Sequence, residues 1–324
     1  MRVATLADGS RDGQLVVVRH DGAAWADARP VAASLQAALD RWTEVEPRLR
    51  ALAADLEAGR VAATPLDPAR LRAPLPRAYE WIDGSAYLNH ARLVRRARGA
   101  ELPATLTTDP LVYQGGSGVL LGPRDPIPFG AAEYGADFEG EVCVITGDVP
   151  MGVAPAEVLG QVRLICLAND VSLRRLIPDE LAKGFGFMVS KPATAYSPFA
   201  VTPDELGGAW REGRAHLRLT VKLNGQEVGD LETGPEMHFS FADLLVHLTR
   251  TRGLTAGTIL GSGTVSNQDA ARGISCLAER RTREQLEHGA PRTPFLAVGD
   301  RVEIAATGPD GRDLFGTIDQ RVTA

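Results

Sequence analysis

Short runs of alternating apolar and polar residues, punctuated by Gly, Asp and Ser, open the chain. They predict strands at Arg2–Ala7, Gln14–Arg19 and Ala23–Ala26. The period then changes: Val31, Leu35, Leu39, Trp42, Leu49, Leu52 and Leu56 recur at helical spacing and stop at Gly59. That pattern predicts an amphipathic helix, or a helical pair broken near Glu46-Pro47, whose apolar stripe serves packing. Pro65, Pro68, Pro74 and Pro76 mark an extended connector. A small β-plus-helix domain over residues 1–72 is therefore expected ahead of a larger domain over 73–324.

From about residue 77 the pattern is mostly strand-like, with turn residues every 8–12 positions. Ala215–Asn224 and Gln226–Leu231 flank Asn224-Gly225, a strong hairpin signal. One helix stands out over Ser240–Arg252. Ser240 offers an N-cap, Asp243 follows three residues later, Leu244, Leu245 and Leu248 share a face, and Gly253 is placed to end it. Strands return at Arg301–Ala305 and Leu314–Arg321. The fold class expected is α+β, mostly β.

Composition narrows the functions. A net charge of −6 with no basic tract argues against nucleic acid as a partner. No apolar run approaches the roughly 18–20 residues that would span a bilayer, so no membrane segment is expected. Residues 1–8 lack the apolar core of a signal peptide. Cys143, Cys166 and Cys276 are odd in number and far apart, which fits reduced thiols in a cytoplasmic protein. Among 35 basic residues only Lys183, Lys191 and Lys222 are lysines, so each lysine invites a reason.

The most informative segment is Asp137-Phe138-Glu139-Gly140-Glu141-Val142-Cys143-Val144-Ile145. Read as a strand, it puts residues 137, 139 and 141 on one face. Like charges so close need a neutralising partner, and an all-oxygen site suits a hard dication such as Mg²⁺, Ca²⁺ or Mn²⁺. A solvent-facing acidic edge is the alternative from these residues alone.

Four further stretches carry polar residues in excess of what packing needs. They are Trp81–His90, with Asp83 and His90; Tyr113–Ser117; Leu167–Arg174, with Asn169-Asp170-Val171-Ser172 and Lys191 downstream; and Gly261-Ser262-Gly263-Thr264 with Glu279 beyond. In this order and spacing the chain, from about residue 77 to its end, resembles the fumarylacetoacetate hydrolase family. The resemblance implies a β roll or sandwich, a homodimer and a divalent metal.

Carried over residue by residue, Glu139, Glu141 and Asp170 match the family's three metal carboxylates, and Asp83 a fourth. His90 matches the catalytic histidine, Glu279 its carboxylate partner, and Lys191 a lysine beside the metal. Tyr113 and Thr264 match substrate-binding positions, and Arg174 is a further candidate to bind substrate. Ile177 and Ala195 depart from a glutamine and a threonine of the animal enzymes, and Arg98 lies one position from an expected arginine. Glu279 precedes Arg280-Arg281, so a surface ion pair is its structural alternative.

The resemblance implies hydrolysis of a carbon–carbon bond in a 1,3-diketo acid, foremost fumarylacetoacetate to fumarate and acetoacetate in aromatic amino-acid breakdown. Such chemistry needs a base to deliver water, the role of His90 oriented by Glu279, and a Lewis acid to stabilise the departing enolate. A decarboxylase or tautomerase of a 2-keto or 2-hydroxydienoic acid is the alternative enzyme on this scaffold. A module with a merely structural cation is the third reading.

Overall fold

The computed structural model describes residues 1–97, 99, 101–128 and 130–324; Arg98 lies outside them. The strands Arg2–Leu6, Gln14–Val18 and Ala24–Asp27 form as the sequence predicts. Two helices follow, α1 (Leu35–Leu39) and α2 (Trp42–Glu57). The break between them falls before Trp42, not at Glu46-Pro47, and Arg41 breaks the helical geometry there with φ −132° and ψ 36°. Pro47 sits inside the second turn of α2, where its missing N–H costs only the bond to Thr43.

Helix α3 (Leu88–Ala97) follows the strand Trp81–Gly84, and α4 (Ile177–Ala182) follows the short strand Ser172–Leu173. Helix α5 (Phe241–Leu248) begins with the expected capping box of Ser240 and Asp243. It stops short of Gly253, because Thr249 turns its hydroxyl back onto the Leu245 carbonyl. Helix α6 (Leu277–His288) ends at Gly289 in the left-handed region. At the Asn224-Gly225 turn both residues have positive φ, as a two-residue hairpin between Arg218–Leu223 and Gln226–Glu232 requires.

An 11-stranded sheet runs through the chain. The four strands at one edge come from the first 65 residues and join the rest through Arg2↔Val201 and Val3↔Ala200. At its centre Gly140–Thr146 pairs antiparallel with Val162–Asn169 on one side and Ile259–Gly261 on the other. Alternation splits the core. Val142 and Val144 face the large cluster shared with a five-stranded second sheet, while Cys143 and Ile145 face a cluster closed by α1 and α2. No helix among the described residues is long and apolar enough to cross a membrane.

Candidate active site

Three strand ends bring the acids together. Ile259–Gly261 lies between Trp81–Gly84, its parallel neighbour, and Gly140–Thr146. Asp83 follows Trp81 by two residues and Glu141 precedes Cys143 by two, so both acids continue one face. A Cβ at Gly261 would lie 2.5 Å from Asp83 Oδ1 and 2.8 Å from Glu141 Oε2, so only glycine lets the two carboxylates meet across this strand. Asp170 arrives where Val162–Asn169 ends. One oxygen from each of Asp83, Glu141 and Asp170 lies within 4.8 Å of the others, and all three residues are buried.

Glu139 and Glu141 differ sharply in surroundings. Arg174 donates to Glu139 Oε1 at 2.6 Å, and Lys191 donates to Oε2 at 2.7 Å. Burial works to raise the Glu139 pKa, but Lys191 and Arg174 outweigh it and hold the carboxyl well below its usual range. Glu141 is fully buried, and among the described residues neither of its oxygens meets a donor. The Asp83 carboxylate lies beside it with Asp170 close by, and acceptor faces acceptor unless one holds a proton. Burial, then the charges of Asp83 and Asp170, push the Glu141 pKa well up. Burial, then the charge of Asp170, likewise pushes Asp83 from the ordinary 3.8 up to about 8.

Asp170 is held from three sides. Lys191 and the Tyr113 hydroxyl donate to Oδ2 at 2.6 and 2.5 Å, and the Thr194 hydroxyl donates to Oδ1 at 2.7 Å. The corner before it is locked by Asn169, which accepts from the Glu139 N–H and donates to Gln320. Buried oxygen donors with an orphaned carboxylate among them fit a hard dication, whose charge would satisfy the oxygens of Glu141 that no protein group reaches. Asp83, Glu141 and Asp170 can hold it directly. Glu139 adjoins them through Lys191 and keeps lone pairs of its own.

Across the cleft His90, on α3, places Nδ1 2.8 Å from Glu279 Oε1 on α6. Glu279 is completely buried, and its Oε2 makes no hydrogen bond and meets only Arg283 Nη2, at 3.8 Å, among the described residues, so a surface ion pair with Arg280-Arg281 does not describe it. Asp137 anchors this helix: its carboxylate accepts from the Leu277 and Ala278 N–H groups at 2.7 and 2.9 Å and from Arg174 Nε at 2.8 Å. The strand reading put Asp137 with Glu139 and Glu141. Instead the chain breaks at Phe138–Glu139, because the Glu139 N–H turns to the Asn169 side chain. Asp137 thereby becomes the link between the acids and the His90–Glu279 pair.

Asp83, Glu139 and His90 line one cleft of about 580 Å³, with Tyr113, Arg174, Lys191 and Thr264 in its wall, and the fully buried Glu141, Asp170 and Glu279 lie behind them. All ten residues singled out from the sequence therefore lie in or directly behind this cleft. Arg174 and Tyr113, expected at the substrate, direct their polar groups to carboxylates instead. The sequence reading missed Thr194 and the anchoring role of Asp137. It also missed Phe187, whose ring meets Tyr113 edge-on at 5.0 Å. Asp137 was visible in the acidic run; Phe187 carried no signal.

Comparison with known proteins fits this geometry. Residues 80–323 match the family model for the fumarylacetoacetate (FAA) hydrolase C-terminal region, and residues 1–77 that for fumarylacetoacetase N-terminal domain 2. The chain belongs to the fumarylacetoacetate hydrolase family.

A Burkholderia ambifaria protein, whose hydrolase name states no substrate, is 27% identical over 64% of this chain and 72% of its own length. A 2,4-didehydro-3-deoxy-L-rhamnonate hydrolase of a Sphingomonas species is 27% identical over 49% of this chain and 54% of its own length. Among solved structures, the fumarylacetoacetate hydrolase of Exiguobacterium antarcticum superposes with TM-score 0.68 at 21% identity, covering 100% of this chain and 99% of that one. Maleylpyruvate hydrolase of Sphingobium sp. SYK-6, crystallised with manganese(II) and pyruvate, superposes with TM-score 0.66 at 20% identity, covering 100% and 99%. At these identities the two structures establish a shared fold.

Proposed function

We propose that this chain hydrolyses the carbon–carbon bond between the carbonyls of a 1,3-diketo acid, a 3-acylpyruvate or acylacetoacetate of which fumarylacetoacetate is the reference member. The observation that carries the reading is the His90–Glu279 pair at 2.8 Å, whose His90 lines the same cleft as Asp83, the member of the Asp83–Glu141–Asp170 cluster that reaches the cleft wall. Asp83, Glu141 and Asp170 would hold Mg²⁺, Ca²⁺ or Mn²⁺ directly, with Glu139 beside them in its ion pairs to Arg174 and Lys191; the ion, when bound, supplies Lewis-acid stabilisation of the enolate.

The protein's own groups supply the rest. His90 Nε2, which no group among the described residues meets, takes the proton of a water as its oxygen adds to the acyl carbonyl. Glu279 fixes the tautomer through Nδ1 and offsets the imidazolium charge. Lys191 lowers the cost of gathering the acids by neutralising Glu139 and Asp170. Thr264, buried beside the positive-φ Gly263, offers a hydroxyl and backbone to the substrate carboxylate. Bond cleavage leaves the acyl group as a carboxylic acid, and the proton held by His90 goes to the departing carbon.

The test separates hydrolysis from enolisation. His90→Asn should lower cleavage of an acylpyruvate by about 10²–10⁴-fold. Deuterium exchange at the carbon between the carbonyls should persist in that variant. Full cleavage by His90→Asn, or faster CO₂ release from oxaloacetate than cleavage of any acylpyruvate, overturns the hydrolase in favour of the decarboxylase.

A further inference from the structure

Behind His90 lies a second group of ligating side chains, chemically unlike the acids. One ligand atom from each of His90, Cys276 and Glu279 lies within 4.8 Å of the others. Cys276 is the N-cap of α6 and Glu279 its third residue, two positions whose side chains face each other over the first turn. The capping role itself falls to Asp137, which accepts from the Leu277 and Ala278 N–H groups. The Cys276 thiol makes no cap hydrogen bond. Cys276 and Glu279 are both 0% exposed, and Glu279 Oε2 has no hydrogen-bond partner among the described residues. Arg283 Nη2 stands 3.8 Å from that oxygen, beyond hydrogen-bond distance.

Orienting His90 takes Glu279 Oε1 alone. A buried thiol and a second carboxylate oxygen are left over, gathered at one imidazole. Thiolate, imidazole and carboxylate together suit Zn²⁺ or Co²⁺, whereas the all-oxygen trio of Asp83, Glu141 and Asp170 suits Mg²⁺, Ca²⁺ or Mn²⁺.

We infer that His90, Cys276 and Glu279 form a second metal site, selective for a thiophilic dication such as Zn²⁺, whose occupation silences His90. On binding, the thiol releases its proton to solvent, and sulfur, imidazole Nδ1 and a Glu279 oxygen coordinate the ion. The proton on Nδ1 moves to Nε2 of the same ring, which stays neutral. Water from the cleft, which His90 lines, fills the fourth position. Thiolate and carboxylate together balance the two charges of the ion. A protonated Nε2 takes no proton from water, so the hydrolytic base is lost while the carboxylate site is untouched. The silencing rests on the hydrolase reading; the metal site does not.

Co²⁺ reports the site directly, because a thiolate ligand adds a near-ultraviolet charge-transfer band that oxygen ligands lack. The wild-type chain titrated with Co²⁺ should develop this band, and Zn²⁺ should abolish it. Glu141→Gln should keep it. Cys276→Ala and the near-isosteric Cys276→Ser should both lose it, although Cys143 and Cys166 remain. With saturating Mg²⁺ and an acylpyruvate, Zn²⁺ should inhibit cleavage by wild type. Cys276→Ser should need at least about tenfold more Zn²⁺ for half-inhibition, with its Zn²⁺-free rate little changed. If no diketo acid is cleaved, the hydrolase reading falls, and the cobalt band still decides whether the metal site exists. A wild type without the band, a band that survives in both Cys276 variants, or equal Zn²⁺ inhibition of wild type and Cys276→Ser overturns the inference.

Discussion

Glu139 and Glu141 sit two residues apart, yet they belong to oppositely balanced halves of the site. Around Glu139 the protein supplies its own cations, and with Asp137, Arg174 and Lys191 the charges are matched by ion pairs of 2.6–2.8 Å. Around Glu141 it supplies none. The neighbours are Asp83 and Asp170, and both Glu141 oxygens lack donors. Buried unpaired charge is costly enough that a fold keeps it only when something else completes it. The balanced half is therefore architecture that shapes the corner and fixes α6 through Asp137. The unbalanced half is the part left for an external cation.

Breaking the unbalanced half should have the largest effect on function. Glu141→Ala should cost about 10³–10⁴-fold in metal-dependent turnover, the scale of losing several kcal/mol of Lewis-acid stabilisation. Its metal-free fold should persist, as checked by circular dichroism and thermal melting. Turnover unchanged under buffered metal would remove Glu141 from the metal site.

Breaking the balanced half should instead damage the fold. Lys191→Met leaves Glu139 and Asp170 buried with one cation fewer, a loss of about 3–5 kcal/mol in denaturant unfolding. Saturating Mn²⁺ should recover part of that loss. A melt within experimental error of wild type would mean that Lys191 is not what balances this half.

The pH dependence sharpens the contrast at smaller scale. With Asp83 raised to about 8, the metal-free native state holds a proton that the unfolded chain releases near 3.8. Stability from this group is thus fully present below about pH 4 and lost as pH rises to about 8. Under chelator, wild type should lose about 2–5 °C more in Tm between pH 5 and 8 than Asp83→Asn does. The amide oxygen of that variant could still accept from the Gly263 N–H, which Asp83 Oδ1 meets at 2.9 Å. A saturating dication should flatten the wild-type slope, since the metal displaces the proton. Parallel slopes for both proteins would exclude Asp83 as the titrating group.

Legibility in the sequence followed how local each feature is. The first three strands, the Asn224-Gly225 turn and the Ser240 capping box are specified within a few residues, and their chemistry is visible in the string. The acids and the His90–Glu279 pair were legible because several residues together resembled a known order. The split between Glu139 and Glu141 was not legible. It depends on Arg174 and Lys191 arriving from another segment and on Gly261 leaving room between strands. Pro47 misled because a local helix-breaking rule was outweighed by packing of Trp42, Val45, Leu49 and Leu56. Ile177 read in sequence only as a departure; its place in the cleft wall, with residues of α3, emerges only in the fold.

That the unbalanced trio holds the metal is tested most directly by Mn²⁺ titration of wild type and Glu141→Gln. Calorimetry run beside thermal melts of the chelated proteins would supply both readings. Wild type should bind one Mn²⁺ per chain with release of protons. Glu141→Gln should bind at least about 100-fold more weakly while melting no lower than wild type without metal, because it removes a buried group that no protein donor satisfies. Wild type failing to bind Mn²⁺, or Glu141→Gln binding it as tightly as wild type, would contradict the claim.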